Sequence, residues 1–433
     1  MLIIYPYRYI IMYKSVDLVY PDESSLEEKL LEERNKYNHI FEIIEENMGD
    51  MILGGYRAAQ KLNRDPVTSD SYFYELYSKK PFEDAKTLAN AIFDNSPDKD
   101  LVMFTSVITE IINNSLSISV NDRQIVRIHH ISKLMFEKVI IPVSTVGIFT
   151  NNKINILSVD LQLISVYQKL MSPQNASEWP TLLKLEEKLK RSFKNHFSSQ
   201  LIEKYGGKQR NIFPGSKIKE FLEDKDRVLV GPNAADIIMQ NNLSSNIYYI
   251  ATSRNLLSEF EELEDLLGVK LEKNIDKTGI PFDSRIFRLT VQHKKATVVV
   301  FYNTAEFNLV PYNLGRNLYP DIERNLRNVK VGSPFAVLLH TFMDLWRIQS
   351  VVNKKFISDE KGLAIIKALV NYINKLYEHL CKVQKKIEEH EFVDLLFPRN
   401  FIGQYYDFNI YKRIENLGKF SPPPYMPLNR SDE

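Results

Sequence analysis

Residues 51–62 read Met-Ile-Leu-Gly-Gly-Tyr-Arg-Ala-Ala-Gln-Lys-Leu, and residues 68–75 read Thr-Ser-Asp-Ser-Tyr-Phe-Tyr-Glu. The first run predicts a strand ending at Leu53, a tight turn at Gly54-Gly55 and then a helix. Paired glycines let the backbone turn sharply and approach another group closely, because no Cβ intervenes. A helix start beyond them presents unpaired N–H groups to an anion such as a phosphate. The second run opens a β-rich stretch, Tyr72 to Tyr77, carrying the acids Asp70 and Glu75. A glycine turn, a helix start and a strand with acids together can hold a triphosphate and its Mg²⁺. The same pattern also describes an ordinary turn in an α/β unit.

Working outward, Ser24-Ser25-Leu26-Glu27 reads as a capping box. It starts a charged helix through about Glu46, with Leu30, Ile40, Ile43 and Ile44 as an apolar stripe. Downstream, Ser78 stands before a helix from about Phe82 to Phe93. Leu101 to Thr109 fits a strand or a short helix equally well. Leu116 to Val120 and Gln124 to His130 alternate as strands joined at Asn121-Asp122, and Val139 to Phe149 is a further β-rich segment. Helices follow at Leu157 to Met171 and Glu178 to Phe197. The second carries Lys184, Lys188, Lys190, Arg191 and Lys194, which suit either a solvated basic face or a set of phosphate contacts. Gly206-Gly207-Lys208-Gln209-Arg210 reads as a domain boundary.

A repeat lies beyond it. Residues 228–239, Val-Leu-Val-Gly-Pro-Asn-Ala-Ala-Asp-Ile-Ile-Met, match residues 51–63 with Gly231 on Gly55 and Ala234-Ala235 on Ala58-Ala59. Tyr72 to Ser78 then corresponds to Ile247 to Ser253, Phe82 to Phe93 to Leu256 to Leu267, and Leu116 to His130 to Phe287 to Tyr302. This order predicts a duplicated fold. The second copy has no acid over Tyr248 to Ile250, so no metal is expected there. Gly332-Ser333-Pro334 starts an apolar helix, with Ser333 as cap and Pro334 at its first position. Phe335, Leu338, Leu339, Phe342, Leu345 and Trp346 are expected in the core. Gly362 to Glu389 reads as a long helix, and Pro422 to Pro427 as an extended tail packed on another part of the chain or on a partner.

Composition sets bounds. With 56 basic and 55 acidic residues the net charge is +1, so no global field marks a nucleic-acid protein. The single cysteine, Cys381, excludes an intrachain disulfide and a cysteine-built zinc site. Met1 to Tyr13 is apolar but short and broken by Pro6 and Arg8. No membrane span or targeting signal is expected.

On these residues the chain resembles the catalytic subunit of the poly(A) polymerases of large cytoplasmic DNA viruses. The resemblance covers about residues 40–425. It is carried by Leu53-Gly54-Gly55, by Glu75-Leu76-Tyr77-Ser78 with Pro81-Phe82-Glu83-Asp84-Ala85, and by Leu157 through Tyr167. Pro173, Trp179, the run Leu185 to Leu189, and the tail from Phe401-Ile402-Gly403 to Pro422-Pro423-Pro424-Tyr425 complete it. It implies an α+β fold of two tandem nucleotidyltransferase-like lobes, each a mixed sheet flanked by helices, plus a helical C-terminal region. The boundaries read as 1–45 for an N-terminal segment and helix, 46–205 for the first lobe, 206–330 for a degenerate second lobe, and 331–433 for the helical region and tail.

The resemblance also implies chemistry: transfer of AMP from ATP to an RNA 3′ end with Mg²⁺ or Mn²⁺, in mRNA 3′-end processing. Asp70 and Glu75 would be the catalytic acids and metal ligands, and Gly54, Gly55, Lys184 and Lys188 the nucleotide contacts. An RNA 3′ end is the implied partner, with room for a homodimer or a separate processivity subunit and none for a membrane. The implied location is the virion and host cytoplasm. The sequence departs from the family at the acids themselves. The family places two acids two apart on one strand, whereas Asp70 and Glu75 are an odd number apart and a regular strand sends them to opposite faces. A bulge would bring both inward. On the neighbouring strand His129 or His130 stands where a third carboxylate is expected, and Mg²⁺ prefers oxygen. Two readings follow: a polymerase with an irregular metal set, or a homologue that keeps the fold and serves as a non-catalytic RNA-binding or assembly subunit.

Overall fold

A computed structural model describes residues 36–63, 65, 73–110, 115–131, 154–171, 178–198, 215–223, 226–241, 247–276, 288–294, 296–304, 310–315, 328–353, 359–398, 400–402 and 424–429. The chain forms two compact units. The first comprises Met1–Gln162, Leu183–Ser192 and Asp407–Glu433, and the second Leu163–Leu182 and Phe193–Tyr406.

The first unit begins with helix α1, residues 36–47. Its apolar face is wider than the stripe read from the sequence, because Tyr37 and Phe41 join Ile40, Ile43 and Ile44 in the core. Strand β1 (Ile52–Gly54), helix α2 (Gly55–Asn63), strand β2 (Tyr74–Ser78) and helix α3 (Pro81–Asn95) follow. The ambiguous stretch after α3 divides into a one-turn helix, α4 (Lys99–Val102), and strand β3 (Ser106–Glu110). Strands β4 (Ser115–Val120) and β5 (Arg123–His130) form the expected hairpin. Asn121 and Asp122 both adopt positive φ, 49° and 62°, which the twist of a two-residue hairpin turn requires. Strand β6 (Asn155–Ile156) completes a sheet ordered β3-β4-β5-β2-β1-β6. β1 runs parallel to β6, and β2 runs parallel to β5, while the other pairs are antiparallel. Leu53, Tyr74, Leu76, Leu116, Ile118, Val126 and Ile128 alternate onto one face, where they meet Ala85, Leu88, Ala89 and Ile92 of α3. Helices α5 (Val159–Met171) and α6 (Trp179–Ser198) follow β6.

The second unit repeats this plan. After helix α7 (Gly215–Leu222) come β7 (Arg227–Val230), α8 (Gly231–Ile238), β8 (Tyr248–Thr252) and α9 (Leu256–Leu267). Then come β9 (Glu272–Asp276), β10 (Arg288–His293), β11 (Ala296–Asn303), β12 (Val310–Leu314) and β13 (Lys330–Gly332). Helices α10 (Pro334–Asn353), α11 (Asp359–Gln384) and α12 (Glu389–Leu396) and strand β14 (Asn400–Ile402) complete the unit. The sheet order is β14-β12-β13-β7-β8-β11-β10-β9. Read from β9 to β13 it reproduces the first sheet strand for strand, with the same parallel pairs, β8 with β11 and β13 with β7. Two strands, β12 and β14, extend it.

The duplication reaches side chains. In the first unit the Ser78 hydroxyl accepts the Lys80 N–H at 2.8 Å and donates to the Asp84 carboxylate. In the second the Thr252 hydroxyl accepts the Arg254 N–H at 3.1 Å and donates to Glu259 at 2.8 Å. Ser78 therefore corresponds to Thr252, one residue before the Ser253 suggested by the sequence. Ser78 does not cap α3 directly, since Lys80 holds the N-cap position and the cap has no side-chain hydrogen bond. The repeat also extends further than the sequence disclosed. β6 leads through Ser158 into α5 as β13 leads through Ser333 into α10, and the two serine carbonyls accept the helix N–H groups of Gln162 and Val337. Ser333 caps α10, and the apolar residues expected in the core from Phe335 to Trp346 are buried. Among the described residues no helix is long and apolar enough to cross a membrane.

Candidate functional site

The face of the first sheet opposite α3 is polar. Alternation along β2 places Glu75 and Tyr77 there, and β5 adds Arg127 and His129. β4 adds Ser115 opposite His129 and Ser117 opposite Arg127. Glu75 is only 7% exposed, and Tyr77, Arg127, Ser115 and Ser117 are buried as well.

Glu75 and His129 form a pair, with Glu75 Oε1 3.0 Å from His129 Nε2. Tyr77, two residues beyond Glu75, stacks on the same imidazole, ring centroids 5.0 Å apart and 22° from parallel. The two glycines lie directly beneath these side chains. A Cβ on Gly54 would come 2.5 Å from the Tyr77 ring, and one on Gly55 would come 2.8 Å from Glu75 Oε2. Gly55 also has φ +65°, in the left-handed region. The close approach that requires glycine at both positions is therefore made by β2 side chains. Gly55→Ala combines a backbone cost of about 1–2 kcal/mol with displacement of Glu75. Gly49, at φ +52° with nothing within 4 Å of an added Cβ, meets the backbone cost alone. Urea midpoints are expected to show Gly55→Ala clearly more destabilised than Gly49→Ala.

Asp70 lies outside the described residues. Lys184 is exposed on α6. Lys188 turns back toward α2: its ammonium lies 2.8 Å from Asp65 and 5.1 Å from the centre of the Tyr56 ring. Burial works against this ammonium, but hydrogen bonding to Asp65 and the nearby Tyr56 outweigh it, so its pKa stands above the ordinary lysine value. Arg191 reaches the same Asp65 carboxylate at 3.7 Å. Ser192 donates to Asn63 Oδ1 at 2.8 Å, which fastens α6 to the end of α2.

The described donor set does not suit Mg²⁺ or Mn²⁺. Such cations are held by convergent carboxylate oxygens and phosphates. Here one carboxylate faces an imidazole, the position two residues on is a stacked phenol, and the neighbouring strand supplies His129. Among the described residues no cluster of three or more His, Cys, Asp or Glu side chains is arranged to hold a metal ion.

The equivalent place in the second unit is closed differently. Tyr249 stands where Glu75 does, against Gly231 at φ +68°, and Tyr302 stands where His129 does. Tyr302 donates to Asp344 Oδ1 of α10 at 2.9 Å, and Arg288 reaches the same oxygen at 3.2 Å. Burial, together with the Asp344 charge, holds the Tyr249 and Tyr302 hydroxyls well above the ordinary phenol range. Tyr77 and His129 were not singled out together from the sequence, although their strand parity places them on the Glu75 face once β2 is paired with β5.

This topology defines a class: two tandem lobes built on one mixed-sheet plan in a single chain. Comparison with known proteins agrees at the level of fold. The structure is similar to the crystal structure of the Megavirus polyadenylate synthase, with a TM-score of 0.61 and 14% sequence identity over 96% of this chain and 88% of that one. In sequence the chain is similar to uncharacterized proteins of African swine fever virus. A tick isolate from Malawi gives 26% identity over 445 residues, covering 98% of this chain and 99% of the relative. A tick isolate from South Africa gives 26% over 447 residues, covering 98% and 100%. No family model matches the chain.

Proposed function

We propose that this chain is a non-catalytic homologue of the viral poly(A) polymerases, acting in mRNA 3′-end polyadenylation as an RNA-binding or assembly subunit. The two-lobed fold shared with the Megavirus enzyme supports the setting. The observation that carries the non-catalytic reading is the Glu75–His129 pair with Tyr77 stacked upon it. AMP transfer depends on metal-held charge, and losing a metal carboxylate forfeits several kcal/mol of transition-state stabilisation. Each 1.4 kcal/mol is a factor of ten in rate, so the loss exceeds about a thousandfold. The virion and host cytoplasm are the corresponding locations.

The test is extension of a labelled RNA primer with ATP and Mg²⁺ or Mn²⁺, beside a mobility-shift assay on the same RNA. The expected result is no extension by the wild type. A shifted RNA band then supports the RNA-binding role, and the absence of both extension and binding would leave the resemblance as ancestry only. Extension that Asp70→Ala and Glu75→Ala both abolish would overturn the proposal and establish a polymerase with an irregular metal set.

A further inference from the structure

β3 is the outermost strand of the first sheet. Outer strands present unpaired N–H and C=O groups and invite pairing with another chain unless something guards them. The usual guards are lysine or proline in the strand. β3 reads Ser-Val-Ile-Thr-Glu, with one acid at its end and neither lysine nor proline.

Its edge is met instead by residues 424–429. Val107 and Tyr425 exchange both backbone hydrogen bonds, at 2.8 and 3.1 Å. The Tyr425 hydroxyl donates to Asn90 of α3 at 2.7 Å, and Lys86 lies 4.7 Å from the centre of its ring. Pro427 is buried as the following 3-10 turn begins. This strap is itself a poor template. Pro424 and Pro427 bracket Tyr425 and Met426, so over residues 424–427 only those two carry a backbone donor. The Tyr425 donor is already used on Val107.

The surroundings show what the strap guards. The exposed large apolar residues described in the first unit are Phe82, Met103, Phe104, Ile108 and Leu428, each 40–54% exposed. They lie on α3, on the turn into β3, on β3 and on the strap. We infer that the β3 edge is a self-association surface for a second copy of this chain, and that the proline-flanked strap keeps it closed. This inference rests on the fold and is independent of the proposed function, since its test contains neither RNA nor ATP.

The experiment compares the full chain with a chain ending at Pro423 by sedimentation over a range of protein concentrations. The expected result is a concentration-dependent rise in apparent mass for the shortened chain above that of the full chain, suppressed by Ile108→Lys. Identical sedimentation of the two chains would overturn the inference, as would a rise that Ile108→Lys leaves unchanged. If circular dichroism shows the shortened chain unfolded, Tyr425→Pro in the full chain decides. That substitution removes the N–H given to Val107 together with the ring and hydroxyl held by Lys86 and Asn90, and leaves the length of the chain unchanged. The same rise supports the guard, and unchanged sedimentation overturns it.

Discussion

Glu259→Ala is expected to destabilise the second unit by about 3–5 kcal/mol, the range for leaving a buried charge without its partner. Arg227 is 1% exposed and Glu259 is fully buried, and their Nε–Oε2 distance is 2.6 Å. Glu259 also accepts from the Thr252 hydroxyl at 2.8 Å, so one substitution unties both β7 and β8 from α9. Arg227 keeps Glu262 at 2.7 Å and the Phe221 carbonyl at 2.8 Å, which places the effect toward the lower end of the range. The Phe221 ring, 3.5 Å from the guanidinium carbon, also remains. Asp84→Ala, the corresponding change in the first unit, removes only a half-buried carboxylate bonded to Ser78. About 1 kcal/mol is expected there. Urea titration read by a probe in each unit separates the two.

The second large effect is on pH. His340 lies in α10 with its Nδ1–H donated to the Ala336 carbonyl at 2.7 Å and its ring edge-on to Tyr302. Burial lowers its pKa to about 4, against smaller raising contributions from the Ala336 carbonyl and Asp344. The unfolded imidazole titrates near about 6.5. Between these values the unfolded chain binds more protons than the folded one, so stability falls as the pH drops. The loss begins as pH falls through about 6.5 and is complete below about 4, amounting at most to about 3 kcal/mol. His340→Leu should remove this part of the pH dependence. A wild type and variant with parallel stability profiles from pH 7 to about 4 would refute the assignment.

Where the fold was legible in the sequence, the signal was local. Ser333-Pro334 marked the start of α10, Asn121-Asp122 the hairpin between β4 and β5, and the glycines at 55 and 231 the two copies. Each depends on a backbone conformation that few residue types adopt. What escaped was non-local. β2 meets β5 in a parallel pair, and Glu75 and His129 lie 54 positions apart. No short-range pattern in either strand reports the other. β6 has two residues, too few for any periodicity, so the strand went unseen and the helices after β6 and β13, each expected by itself, were not matched as part of the repeat. The candidate site was legible only in part. Glu75 and the glycines were read as separate contributors to a site, and their close packing follows from the pairing of β1 with β2, which neither run reports by itself.

The guarded edge of β3 has a consequence for the order of synthesis. Asn90, the strap's partner on α3, precedes Tyr425 by 335 positions. The strands of the first sheet emerge from the ribosome long before the residues that close its edge, with all of the second unit translated between them. At about 5–20 residues per second that interval lasts roughly 15–65 s. Nascent copies on neighbouring ribosomes of one message share that interval with their β3 edges open. Pairing between copies is therefore a hazard of translation first, and one that ends once residues 424–429 have been made and laid on β3.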